Sequence, residues 1–239
     1  MARARMTRQE LKTQDEFMTT VQRFSEIAYA RKKELLIGAG AILVLILVFV
    51  GWRAYSRNRD AGAQAQLAAA IAAYNDSSLK SDKERYEKTI VEGQKTVDAY
   101  GSRPSAMIAR YYIGMAREGL GDTPGAAKIL QEVASGGDSN IKPVAQFALA
   151  GIHERHGELK QAIDTLKPLY DSGAYTKGTV AFELGKLYEA NKQPDQAKVY
   201  YERVIIEATD SPFREDAEAG LKRMGFPLPT PTTVPAPAK

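Results

Sequence analysis

The sequence contains no cysteine, which excludes structural disulfides, Cys-ligated zinc, iron–sulfur clusters and thiol nucleophiles together. Histidine is nearly as scarce. The two copies, His153 and His156, stand three apart in a His-Glu-Arg-His run, which is not the HExxH pattern of zinc proteases, whose ligands lie four apart with a Glu base between them. Both rings could reach one metal from that spacing, but there is no third His, and Glu154 or Glu158 would have to complete the ligand set. A Gly-rich phosphate loop, a nucleophile elbow and an ordered Ser/His/Asp set are missing as well. The glycines are accounted for by turns and helix crossings. The expectation is therefore no enzyme, no cofactor, no metal and no small-molecule substrate, weighed against a hydrolase or metal site around His153 and His156.

A one-sided charge is also lacking. The formal net charge of +4 comes from 33 Lys/Arg and 29 Asp/Glu, and residues 1–34 hold eight of those bases and five of the acids. No charge falls between residues 35 and 52, so 25 basic and 24 acidic residues follow. Nucleic-acid binding needs a basic stripe to displace phosphate counterions. None is expected.

What stands out instead is Leu35 to Trp52, LLIGAGAILVLILVFVGW, which has no charged side chain. As a helix it covers about 27 Å, close to the thickness of a bilayer core. Arg31, Lys32 and Lys33 precede it, Arg53 and Arg57 follow, and Trp52 and Tyr55 suit the interface. A buried core helix would need a large domain around it, and a cleaved signal peptide a short n-region and a small-x-small site. Neither is present, so the run reads as an uncleaved single-pass signal-anchor. Four Lys/Arg lie in the twenty residues before it and three in the twenty after. With the whole N-terminal segment the more basic, the N-terminus is placed in the cytoplasm and the rest outside. In a bacterium that is the periplasmic side of the inner membrane. Within residues 1–34, Phe17, Val21, Phe24, Ile27 and Ala28 recur at helical spacing, an amphipathic cytoplasmic segment.

A second periodicity fills the other half. Stretches starting at Met107, Pro143 and Gly178 align without internal gaps at separations of 36 and 35 residues, the period of stacked helical hairpins. Each first helix carries a large apolar residue followed by a small one, Ile113-Gly114, Leu149-Ala150 and Leu184-Gly185, so that a partner helix can approach closely. Turns follow at Gly121-Asp122, Gly157-Glu158 and near Asn191, since a helix end favours Gly or Asn in the left-handed conformation. Each second helix then brings Ala126, Ala162 or Ala197 to the crossing, with apolar residues four and seven further on.

These residues resemble the tetratricopeptide repeat: the apolar-small pair, an aromatic four after it at Tyr188, the Ala of the second helix and a Leu or aromatic beyond. Arg117 and His153 replace that aromatic in the two earlier units. The expected fold is all-α, an N-terminal single transmembrane helix followed by a tetratricopeptide-like helical-hairpin solenoid. Its parts are a cytoplasmic segment (1–34), the membrane helix (35–52), a linker helix with a degenerate hairpin (53–106) and three repeats (107–211). A capping helix (212–226) and a Pro-rich tail (227–239), too polar to fold, complete it. A span followed by such a stack resembles the bacterial membrane-anchored family that includes the ancillary SecYEG translocon subunit. That resemblance implies a periplasmic scaffold near protein export, linking the translocon to envelope chaperones.

A helical solenoid offers an extended concave surface lined by its first helices. Tyr111, Phe147 and Phe182 recur there at one equivalent place, with Met115, Glu118, Glu154, Lys186 and Glu189 a turn or two along. Aromatic and Met side chains anchor partners, so these eight residues are the expected contacts for a protein or peptide. The alternative for the three aromatics is packing between neighbouring first helices. A different role for the whole chain is that of a structural subunit of an envelope complex, contacted mainly through its membrane helix.

Overall fold

The structure, a computed structural model, describes residues 31–229 apart from 102, 137–139 and 209. The amphipathic segment around Phe17–Ala28 and the tail beyond 229 lie outside the described residues. Helices and turns make up the described chain, without a strand among the described residues. The chain divides into two units, 1–58 and 59–239.

Helix α1, Lys32–Tyr74, runs across that division. In the first unit its side chains point outward: Leu36, Ile37, Ile42 to Val50, Trp52 and Tyr55 are all more than half exposed. A contiguous apolar surface of this kind marks an interaction or membrane face, and α1 is long and apolar enough to cross a bilayer by length and composition.

In the second unit the same helix changes character. Ala63, Leu67, Ala70 and Ala73 are buried at spacings of four and three, a narrow stripe that lets α2, Asp82–Tyr100, lie close. On α2, Thr89, Gly93 and Thr96 are buried: a Cβ on Gly93 would sit 2.7 Å from Ile113 in the helix that follows, and the two threonine hydroxyls turn back to the Arg85 and Glu92 carbonyls of their own helix. Polar contacts tie the pair together at several levels. Arg59 Nη2 donates to the Ala99 carbonyl at 2.7 Å, Gln66 Nε2 donates to Glu92 at 3.4 Å, and Asp60 pairs with Arg103 just beyond α2. Ser81 caps α2 by accepting from the Glu84 amide.

Three hairpins follow: α3 (Pro104–Gly119) with α4 (Thr123–Ser135), α5 (Lys142–Arg155) with α6 (Leu159–Ser172), and α7 (Lys177–Ala190) with α8 (Pro194–Glu207). Helix α9, Arg214–Arg223, ends the stack. It begins two residues after Pro212, with the Ser211 hydroxyl accepting from the Phe213 amide. One buried cluster joins α4 to α5, and a larger one runs from α5 through α9.

The crossings explain the small residues. A Cβ on Gly114 would sit 2.9 Å from Leu130 on α4, and one on Gly185 would sit 2.6 Å from the Tyr201 ring on α8. Ala150, with its methyl group, fills the same place opposite Leu166 in the middle hairpin, where both are buried.

The hairpin turns share one backbone solution. The amides of Asp122, Glu158 and Gln193 donate to the carbonyls of Arg117, His153 and Tyr188 at 2.8–2.9 Å, and a shorter-range bond nests inside each. This is the Schellman closure, which requires a left-handed residue just past the helix. Gly121 (φ +82°) and Gly157 (φ +75°) supply it in the first two turns. In the third the left-handed residue is Lys192 (φ +57°), not Asn191, which stays at φ −80°. Lys192 is the residue five before Ala197, as Gly121 and Gly157 are five before Ala126 and Ala162, so the backbone follows the repeat phase although the residue type does not suit it.

Candidate functional site

The first helices α3, α5 and α7 stand side by side, and the eight expected contact residues all lie on them. Each is half-buried, the state of side chains that line a groove.

The three aromatics are covered in part by the next element along the chain. Phe147 stacks on Tyr175, just before α7, with ring centroids 4.9 Å apart, and Phe182 stacks on Phe213, just before α9, at 4.8 Å. Tyr111 meets Tyr112 edge-on and packs, with Met115, against the buried cluster of α4 and α5. The stacking partners of Phe147 and Phe182 thus lie in the segments leading into α7 and α9, not on a neighbouring first helix, and both rings stay half-buried.

The glutamates form a regular device. Glu118, Glu154 and Glu189 occupy one repeat position, at separations of 36 and 35, and each reaches a cation on the following first helix or on α9. Arg155 Nη2 lies 3.0 Å from Glu118, Lys186 Nζ lies 3.5 Å from Glu154, and Arg223 engages Glu189 through two bonds of 2.7 and 2.8 Å. This ladder runs along the stack and fixes how each first helix sits on its neighbour. Glu189 is used up by it, because its second oxygen also accepts from Tyr201 Oη at 2.8 Å. Hydrogen bonding from Arg223, and then from Tyr201, holds the Glu189 carboxyl below the usual carboxylate range against the opposing effect of burial. Burial and the Glu189 partner in turn push the Tyr201 phenol up.

Of the ladder's cations, sequence reasoning singled out Lys186 as a groove contact and missed Arg155 and Arg223. The three come from different offsets within their helices, so no periodic signal announces the ladder. The glutamates alone repeat.

Between α5 and α7 the groove deepens into a cavity of about 160 Å³, lined by Phe147, Gly151, Glu154, Leu166, Glu183, Lys186 and Leu187. Three of the expected contacts, Phe147, Glu154 and Lys186, are thus brought to one place. Lys186 bridges Glu183 at 2.7 Å and Glu154 at 3.5 Å. Burial disfavours its charge, but the two carboxylates outweigh that and hold its ammonium above the ordinary lysine range.

The histidines lie elsewhere. His153 Nδ1 is 2.5 Å from Glu158 across the α5–α6 turn, repeating the Arg117–Asp122 pair at 3.0 Å across the α3–α4 turn. Together with His156, Pro124 and Ala127, His153 borders a separate shallow depression. Among the described residues no group of three or more His, Asp or Glu is placed to hold a metal.

Comparison with known proteins agrees with this geometry. A family model described as a tetratricopeptide repeat-like domain matches residues 28–216. The nearly identical TPR-like repeats of a Podosopora anserina protein, assigned as a kinesin light chain, superpose with a TM-score of 0.53. They are 19% identical, and the match covers 67% of this chain and 83% of that one. A single-substitution variant of the same repeats gives the same values. At that identity the likeness concerns the fold alone. No curated protein matches the sequence.

Proposed function

We propose, from the premise that the chain belongs to the tetratricopeptide repeat-like domain family, that it is a membrane-tethered scaffold whose first helices hold a segment of another protein. Helical stacks of this kind generally serve protein–protein interaction through an extended surface. The observation that carries the reading is the line of half-buried aromatic, Met and charged side chains on α3, α5 and α7, deepening into the cavity beside Phe147. Open aromatic anchors with a polar rim are the usual makings of a partner surface.

The tether is α1. Its exposed apolar run from Leu36 to Trp52 suits a bilayer, and the excess of Lys/Arg before it favours an N-terminus in the cytoplasm and repeats outside. Anchoring raises the local concentration of a partner near a membrane complex. The resemblance to the membrane-anchored family of the ancillary translocon subunit supports a place on the periplasmic side of the inner membrane, between the export translocon and envelope chaperones. A second reading, a structural subunit of another envelope complex docked through α1, draws on the same exposed apolar face.

The test is a reporter active only outside the cytoplasm, fused after residue 226, followed by mild-detergent purification and mass spectrometry of the same fusion. Reporter activity with recovery of translocon or chaperone proteins supports the scaffold reading. A silent reporter, with the repeats in the cytoplasm, contradicts the orientation and the export role together.

A further inference from the structure

We propose that the bay beside Gly151 receives one basic side chain, Lys or Arg, of the segment that the groove holds; this rests on the first-helix groove being the partner surface. Gly151 occupies the interior of α5, at the repeat position filled by Met115 on α3 and Lys186 on α7, 36 and 35 residues away. Glycine is a poor choice in a helix interior, because it loses the most backbone freedom on folding. Elsewhere in the stack packing demands it. A Cβ at Gly114, Gly185 or Gly220 would meet a neighbouring side chain at 2.6–2.9 Å. At Gly151 it would meet only Arg155 Nη1, at 3.5 Å. The missing side chain is thus not taken up by the fold, and its place is the open bay.

The bay is sized and lined for a long side chain. Its volume of about 160 Å³, walled by Phe147, Leu166 and Leu187, compares with the apolar cavity of about 150 Å³ that admits benzene. Its rim holds two carboxylates, Glu154 and Glu183, which share the single ammonium of Lys186. The nearby Arg155 is already matched by Glu118. One negative charge is left over at the mouth. A Lys or Arg side chain answers both features, laying its methylene stem on the apolar walls and its cation against the carboxylates. An acidic side chain would be repelled, and an apolar one would leave the charge unanswered.

The test selects a random dodecapeptide library on the full chain in detergent micelles, then measures the recovered peptides by fluorescence polarisation against wild type, Gly151→Met and Glu183→Gln. Recovered peptides are expected to carry a Lys or Arg whose replacement by norleucine weakens binding at least tenfold. Gly151→Met, which puts a long side chain into the bay, should weaken them at least tenfold with an unchanged or raised melting temperature. Glu183→Gln should weaken them about threefold or more, and the loss should shrink in high salt. Recovered peptides without a basic residue, or binding indifferent to Gly151→Met in a folded protein, would overturn this inference and leave the groove reading standing. Recovery of no peptide would overturn both.

Discussion

Arg223 of the terminal helix grips Glu189 of α7 with both arms of its guanidinium, at 2.7 and 2.8 Å, while Tyr201 of α8 donates to the same carboxylate. Three helices meet on one side chain. The Tyr201 ring is seated between Gly185 and Gly220, where a Cβ would come within 2.6 and 2.7 Å of its carbons. The cap is therefore held by a charge clamp above and an aromatic wedge below.

Removing the clamp should loosen the C-terminal end first. Arg223 is largely exposed, so Arg223→Ala should cost about 1 kcal/mol, the upper end for pairs open to solvent. Thermal unfolding of the full chain in detergent should show this as a fall of roughly 2–4 °C. Hydrogen exchange should locate it in α9.

The clamp also sets a pH dependence. Because the Glu189 carboxyl is held below its ordinary value in the folded chain, its contribution is complete above about pH 4.3, the value for a free glutamate. It is lost as the pH falls through the lowered folded value. Melting temperatures measured downward from pH 6 should drop more steeply below that point in wild type than in Glu189→Gln.

Two glycine replacements should act in opposite directions. Gly185→Ala drives a methyl into the Tyr201 ring and should destabilise by roughly 1–3 kcal/mol, as overpacking does. Gly151→Ala meets no such obstacle and should stabilise by up to about 1 kcal/mol, the helix-propensity difference. Chemical denaturation of the two variants beside wild type checks both signs.

Lys192 carries backbone strain that its repeat equivalents avoid, at φ +57°. Lys192→Gly should stabilise by about 0.5–1 kcal/mol, the left-handed penalty of an ordinary residue less the added freedom of glycine in the unfolded chain. An unchanged melting temperature would show that the turn relaxes at no cost.

Those same positions show what could be read beforehand. The hairpin stack was legible because its crossings demand small residues, and Gly114, Ala150 and Gly185 recur in phase with Ala126, Ala162 and Ala197. The left-handed turn residues were legible where they are Gly121 and Gly157. Lys192 hid the third, since nothing about lysine signals that conformation. The pairing of α1 with α2 was obscured because an alanine-rich helix has little contrast between its faces, and α1 continues from the apolar run to Tyr74 with no capping signal between. At the groove, Phe147 and Glu154 were readable from repeat position, and Lys186 from its place one turn beyond Phe182 on the same helix. Their companion Glu183 and the opening at Gly151 were not, because a cavity is a property of what neighbouring helices fail to fill.

The central claim, that the repeats rather than the membrane helix hold the partner, is tested most directly by two variants purified side by side from membranes in mild detergent. One exchanges residues 35–52 for an unrelated apolar helix, and the other is Gly151→Met with its fold verified by melting. The account predicts that proteins recovered with wild type stay with the exchanged-span chain and are lost from Gly151→Met. Partners lost with the span and retained by Gly151→Met would contradict it, and would assign the interaction to the helix in the bilayer.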